Sequence, residues 1–314
     1  MLKKICFAAM AAVAVVSCCE NDVELPEQVA EGELVTFSVS VPGLQTKSVG
    51  DADEKTVNSL QVVVFNKHGV YESSSYGRGN ALSITCTAGQ KRLVALVNTN
   101  MEEGLANYDE LASRSVYLKD AGATDLVMVG DSVLTISSNR PINLDVKYLS
   151  SKIVLESVTL NFSNQQHKHL PFAIKSVFLT NVAGDRKYIA ESEPTTWYHP
   201  DNYDKQNTLP FLYDSLTGGQ PLADGETYDT DHYFYCYPNQ TSTQTRLVIE
   251  AEIGGQIYYY PIILDEVLPN NQYSYNVQLT RLGADSPDAS LDKRAYTVQI
   301  TMKDWKTNSS TVKI

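Results

Sequence analysis

The chain has 314 residues, 43% of them hydrophobic and 20% charged, which excludes both a single small stapled core and disorder over the whole length. Lys and Arg total 25 against 37 Asp and Glu, a net charge of −12, so a protein that wraps a phosphate backbone is excluded as well. Nineteen Tyr against two Trp, among many Val, Thr and Ile, favour pleated surfaces over helices.

Residues 1–17 carry Lys3 and Lys4 ahead of an 11-residue apolar run, CFAAMAAVAVV, long enough for a secretory signal and too short to span a bilayer. The run closes on Val15-Val16-Ser17-Cys18, which resembles a bacterial lipobox, so Cys18 is the expected lipidation site. Attachment to a membrane is then by lipid, because no later stretch approaches the length of a transmembrane helix. Residues 18–32 are acidic and aperiodic and are expected to form a solvated tether.

Residues 34–41 alternate cleanly. Val35, Phe37, Val39 and Val41 fall on one face, with Thr36, Ser38 and Ser40 on the other, the period of a strand with one wet side. Pro42-Gly43 ends it, and a long polar loop exposes Lys47 and carries Asp51, Asp53 and Glu54, whose expected role is solubility. Residues 60–65 (LQVVVF) read as a buried strand, and 82–86, 92–97 and 126–129 as further short strands. Residues 101–113 place Leu105, Tyr108 and Leu111 at helical spacing, with Asn100 as the expected N-cap.

Residues 142–148 alternate again and close a first domain, 33–148. The strand at 152–162 opens a second, 149–314, in which 191–230 is the longest irregular stretch. Strands follow at 233–237, 245–253, 256–264, 273–279 and 296–302. Gly254-Gly255 gives a two-residue hairpin between two of them. The last strand sets Tyr296, Val298, Ile300 and Met302 on one face, shortly before Trp305. The expected fold is all-β: two antiparallel β-sandwiches of transthyretin-like or Greek-key type, with a small helical insert in the first.

No catalytic assignment emerges, so an enzyme is not expected, nor a cofactor. There is no H-E-x-x-H, G-x-S-x-G, Walker loop or dinucleotide fingerprint. His167-Lys168-His169 has no zinc spacing and reads as a polar turn, as does Gly77-Arg78-Gly79-Asn80. No metal site is expected. Cys86 and Cys236 each sit in a β-like run, where a lone cysteine packs as a small hydrophobe; a bridge between them stays open. Trp197-Tyr198-His199 is either a sugar-stacking platform or a packed loop anchor.

Several blocks in order carry a resemblance: 31–41 and the loop to Gly50-Asp51, LQVVVFN at 60–66, CTAGQKRLVALVNTN at 86–100, FYCYPN at 234–239, TRLVIEAEI at 245–253, YYYPIIL at 258–264, NNQYSYNVQLTRLGADSPD at 270–288 and YTVQITMKDW at 296–305. With the lipobox, they resemble the Bacteroidales major fimbrial subunits, the type V pilins. The resemblance implies a lipoprotein precursor of the outer membrane, cut in the loop after the first strand by a trypsin-like protease, here between Lys47 and Ser48. It also implies polymerisation by donor-strand exchange into a cell-surface fimbria. Val35, Phe37, Val39 and Val41 would be displaced, and Tyr296, Val298, Ile300 and Met302 of another subunit would replace them. The family cuts after a basic residue that is usually Arg; Lys47 departs from that and leaves room for an uncut anchor subunit. The implied partners are other fimbrial subunits, including anchor and tip proteins, the processing protease, and host or bacterial surface receptors. The rival reading is an anchor or tip subunit, or a monomeric glycan-binding lipoprotein that uses Trp197 and Tyr198.

Overall fold

Period-two alternation and near-continuous apolar runs dictate sheets, and sheets account for most of the chain. The computed structural model describes residues 28–41, 54, 56–122, 124–199, 209–239, 241–264, 267–289, 296–304 and 309–312. Its first half holds strands β1 (Leu34–Ser40), β2 (Leu60–Asn66), β3 (Tyr71–Gly77), β4 (Ala81–Thr87) and β5 (Gly89–Val97), the short helix α1 (Tyr108–Ser113), and β6 (Ser115–Tyr117), β7 (Met128–Ile136), β8 (Ile142–Asn143) and β9 (Lys147–Tyr148). The second half holds β10 (Ser151–Leu160), β11 (Phe172–Thr180), β12 (Val182–Ala183), β13 (Asp185–Lys187), β14 (Trp197–Tyr198), β15 (Tyr213–Pro221) and β16 (Thr227–Cys236). It ends with β17 (Arg246–Ile253), β18 (Gln256–Ile263), β19 (Asn271–Leu279), β20 (Tyr296–Asp304) and β21 (Ser309–Val312).

Most strands of the first half form two sheets, β4-β1-β8 and β3-β2-β5-β7-β9, and most of the second half β16-β10-β19-β20-β21 and β15-β11-β17-β18, while β12 pairs with β14 and β6 with β13 in two-stranded ribbons. Pairing is antiparallel apart from β1 with β8 and β10 with β19. The expected all-β, two-sandwich fold is what the chain adopts. One core lies inside the first sandwich, where Val35, Phe37 and Val39 meet Leu60, Val62 and Val64 of β2 and Leu93 and Ala95 of β5. The other faces of β2 and β5, through Val63, Phe65, Val94 and Leu96, join a second core that runs on into the second sandwich. This explains why β2 reads as a near-continuous apolar run, broken only by Gln61: both of its faces are covered.

The helix is shorter than its sequence pattern suggests. It starts at Tyr108, and its cap is Asn107 rather than Asn100; the Asn107 side chain accepts from Glu110 N at 2.9 Å. The helix lies over the outer face of β2, where Tyr108 meets Phe65 edge to face with ring centroids 5.8 Å apart.

Three other departures have physical causes. Strand β3 (YESSSYG) is an edge strand whose serine run gives no apolar period. Strand β11 alternates, but a bulge between Ile174 and Ser176 shifts its period halfway along. The stretch 191–230, expected to be irregular, contains β14, β15 and the start of β16. In β15, Gly218 and Gly219 (φ +80° and +77°) fall where its pairing with β11 slips, and this conceals the strand in the sequence. At the hairpin between β17 and β18, Gly254 and Gly255 both have positive φ (+59° and +83°), as a primed two-residue turn requires.

Candidate functional site: the first strand and its groove

Strand β1 is the middle strand of its sheet. It pairs antiparallel with β4 over seven residue pairs, from Leu34 opposite Thr87 to Ser40 opposite Ala81. Its other edge meets β8 at Val39 and Ser40, and among the described residues no strand pairs with the remainder of that edge. The inward face is sealed: Val35, Phe37, Val39 and Val41 retain 3%, 2%, 0% and 1% of their accessible surface. The outward face is polar after the exposed Leu34, with Thr36 and Thr85 hydroxyls 2.7 Å apart across the pair. At about 2 kcal/mol per side chain, the four apolar groups contribute on the order of 8 kcal/mol before ordering costs.

Among the described residues neither β4 nor β8 has another strand partner in this sheet, so β1 joins two strands that do not otherwise pair there. The β4 end is held separately. Glu72 of β3 accepts from the Thr87 backbone N and hydroxyl and from Lys91 Nζ of β5, the last at 2.7 Å. Burial raises the Glu72 pKa, but the bonds from Lys91 and Thr87 outweigh that and hold it below the usual carboxylate value.

Cys86 on β4 lies opposite Val35 and is 2% exposed. Burial pushes its thiol up to about 11, with help from the charge of Glu72. Cys236 is also buried and belongs to the other core; the two thiols are free and do not bridge.

The loop after β1 corrects one expectation. Glu54 is not solvated: it is 1% exposed and forms an ion pair with fully buried Lys152 of β10. The Tyr235 hydroxyl donates to Glu54 Oε1 at 2.7 Å, the Tyr148 hydroxyl to Glu54 O at 2.9 Å, and the Lys152 ammonium lies 4.6 Å from the centroid of the Tyr233 ring. A residue from the β1–β2 loop is thus inserted between the two sandwiches. The signal available in the sequence was Lys152 itself, a lysine beside Ile153, Val154 and Leu155. Cys18, Lys47, Ser48, Asp51 and Asp53 lie outside the described residues.

At the other end, β20 lies on its own domain. It pairs with β19 along its full length, and β21 covers part of its free edge. Tyr296, Val298, Ile300 and Met302 share one face, half-buried against the second core. Trp305 lies outside the described residues.

Trp197 and Tyr198 are half-buried in a two-stranded ribbon with β12, and Tyr198 packs so closely on Gly184 that a Cβ there would stand 2.8 Å from its ring. Residues 167–169 form a single 3-10 turn, with Lys168 paired to Asp224 at 3.2 Å. Among the described residues no cluster of three or more His, Cys, Asp or Glu is placed to hold a metal. None of their helices is long and apolar enough to cross a membrane.

The fold and this site define a two-sandwich β-protein closed by its own leading strand. The profile of the major fimbrial subunit protein (FimA) family matches residues 36–209, more than half of the chain, and the chain belongs to that family. It is 28% identical over 155 residues to a protein of Parabacteroides distasonis assigned as fimbrium tip subunit Fim1C. That match takes in 44% of this chain and 41% of the relative, about two-fifths of the relative's length. Among solved structures, a cell adhesion protein from Bacteroides eggerthii superposes with a TM-score of 0.69 at 17% identity, covering 89% of this chain and 98% of that one. The fimbrilin FimA of Porphyromonas gingivalis W83 gives 0.62 at 15%, covering 88% and 98%. The C-terminally truncated tip protein Mfa3 of Porphyromonas gingivalis gives 0.54 at 13%, covering 87% and 100%. Family membership points to a structural or adhesive role in a cell-surface fimbrium, that of a structural protein rather than an enzyme.

Proposed function

We propose that the chain is a shaft subunit of the fimbria, exported as an outer-membrane lipoprotein through Cys18, trimmed between Lys47 and Ser48 by a trypsin-like protease, and polymerised by donor-strand exchange. Residues 33–148 form the accepting domain, and residues 149–314 the domain that supplies the donor. The observation that carries this reading is the place of β1. It is the one strand between β4 and β8, its inward face is fully buried, and the loop that follows it holds the basic cleavage candidate. Removing β1 opens a groove lined by apolar side chains and unpaired backbone groups, which a strand of the same alternation fills. Residues Tyr296, Val298, Ile300 and Met302 have that alternation.

The test uses purified precursor. Trypsin-treated wild type is expected to form ladders on a gel run without boiling, while Lys47→Ala stays monomeric and lipidated. Fimbriae sheared from cells are expected to yield an N-terminus at Ser48. Equal polymerisation of the two precursors would sink the reading, and an intact residue 34–41 segment in sheared fimbriae would favour the anchor or tip instead.

A further inference from the structure

The two sandwiches are joined at their seam by the β6–β13 pair, in which Arg186 lies opposite Val116. Its Nη1 donates to Leu149 O at 2.7 Å and its Nε to Lys187 O at 3.3 Å, both backbone carbonyls. Among the described residues no carboxylate pairs with it, and its Nη2 has no protein acceptor. Acids are not scarce: the chain has 37 of them against 25 Lys and Arg. Four other sheltered cations have one, Lys91 with Glu72, Lys152 with Glu54, Arg92 with Asp131 and Arg114 with Glu102, whereas half-buried Arg246 bonds the Asp288 backbone carbonyl and Lys187 the Ser115 hydroxyl.

The electrostatics differ accordingly. Hydrogen bonds from Arg92 to Asp131 and from Arg114 to Glu102 raise those two guanidinium pKa values above the ordinary value. Burial pulls Arg186 below it, opposed only by Tyr237. A desolvated cation without a counter-charge is costly, and the cost falls when an anion docks against it.

Arg186 lines a cleft of about 470 Å³ whose walls include Pro194, Pro238 and Pro269, with Ser192 and Thr241 also in the lining. Three proline rings make rigid aliphatic walls, so little ordering is needed on binding. They offer flat surfaces to the C–H face of a pyranose, the exposed Ser192 hydroxyl can bond a sugar hydroxyl, and the guanidinium edge that bears Nη2 can receive a carboxylate, while the Thr241 hydroxyl is already bonded to Asn239 Oδ1 at 2.8 Å. Glu191 and Glu193 line the same cleft but are exposed, where solvent and salt screen their charge far more than that of Arg186. We propose that this cleft is a binding site for an acidic sugar of the uronic or sialic acid type, its carboxylate paired with Arg186. The site lies apart from β1 and does not depend on strand exchange.

The experiment is calorimetric titration of the purified protein with glucuronate and N-acetylneuraminate, with glucose as the uncharged control and acetate as the bare carboxylate. One of the acidic sugars is expected to bind more tightly than about 10 mM, at least tenfold more tightly than glucose or acetate. Arg186→Gln is expected to lose roughly tenfold or more, and Arg186→Lys, which keeps charge but not the fork, less. Ser192→Ala, a second variant at an exposed position of the cleft wall, is expected to weaken the same sugar severalfold and serves if Arg186→Gln does not fold. No heat with either acidic sugar, equal binding of glucose, or binding indifferent to Arg186 and Ser192 would overturn the site. So would sedimentation showing self-association that disappears in Arg186→Gln, since the carboxylate would then come from a second copy of the chain.

Discussion

Strands β1, with Val41 just past its end, and β20 alternate with the same period and present four apolar side chains each, yet they are held differently. β1 lies between two strands with no other partner among the described residues, and its inward residues are almost wholly buried. β20 lies near the edge of a five-stranded sheet, its apolar residues are half-buried, and β19 remains paired with β10 whether β20 is present or not. Loss of β1 dismantles a sheet, whereas loss of β20 shortens one. The same sequence pattern therefore encodes a tight closure at one end of the chain and a looser one at the other.

The largest expected effect tests that asymmetry directly. Phe37→Ala leaves a cavity in a sealed core and is expected to cost about 4 kcal/mol of precursor stability in urea denaturation. Ile300→Ala removes a side chain that is already half solvated and is expected to cost about 1 to 2 kcal/mol. Equal losses, or a larger loss at Ile300, would show that the two ends are held alike.

Next comes the pin between the sandwiches. Lys152→Met leaves the Glu54 carboxylate buried without its cation and is expected to cost about 3 kcal/mol, and Glu54→Gln a comparable amount. The double variant is expected to recover much of the second loss, because neither charge then lies buried without its partner. Strict additivity in that cycle would mean the two groups act separately, and the loop after β1 would have no specific hold on the second sandwich.

The two buried thiols place a reporter in each sandwich. At pH 8 the Cys86 thiol, pushed up to about 11, and the Cys236 thiol, pushed up to about 12, are both protonated and shielded, so once Cys19 of the tether is replaced (Cys19→Ser) Ellman's reagent is expected to react slowly with folded, lipidated precursor. Phe37→Ala is expected to speed labelling of Cys86, which faces Val35, and to leave Cys236 unchanged. If both thiols accelerate together, the sandwiches open as one unit and the contrast between their strands has no separate energetic meaning.

Much of the fold was legible in the sequence because alternation and covered apolar runs are local signals. The inward residues of β1, the paired face of β20 and the Gly254-Gly255 turn all follow from spacing. The features that escaped are those in which a distant partner overrides the local pattern. β15 hides behind two glycines at a register slip, and β11 behind a bulge. Glu54 reads as one more loop acid until Lys152 and Tyr235, 98 and 181 positions away, close over it. Arg186 carries no sequence signal at all, because its interest lies in the partner it lacks. The candidate site shows the same division: the strands are visible in the sequence, and the junction that holds them is not.

The smallest expected effect concerns pH and again separates the two halves. His199, after β14, is 5% exposed with its Nδ1 2.7 Å from Leu179 O of β11. Burial lowers its pKa below the ordinary 6.5, and the bond to Leu179 offsets only part of that. Below pH 6.5 the unfolded chain therefore takes up a proton more readily than the folded one, so the stability this group confers is present above that pH and is lost as pH falls through the depressed folded value. Hydrogen exchange corrected for intrinsic rates is expected to be faster at pH 5 than at pH 7 in peptides covering β11 and β14, with β1 and β4 changing less. His199→Gln, which keeps a donor for Leu179 O but cannot be charged, is expected to remove the difference. If that variant retained the acid response, or if β1 loosened as much as β11, the acid sensitivity would belong to the carboxylate pairs that both sandwiches contain and not to this histidine.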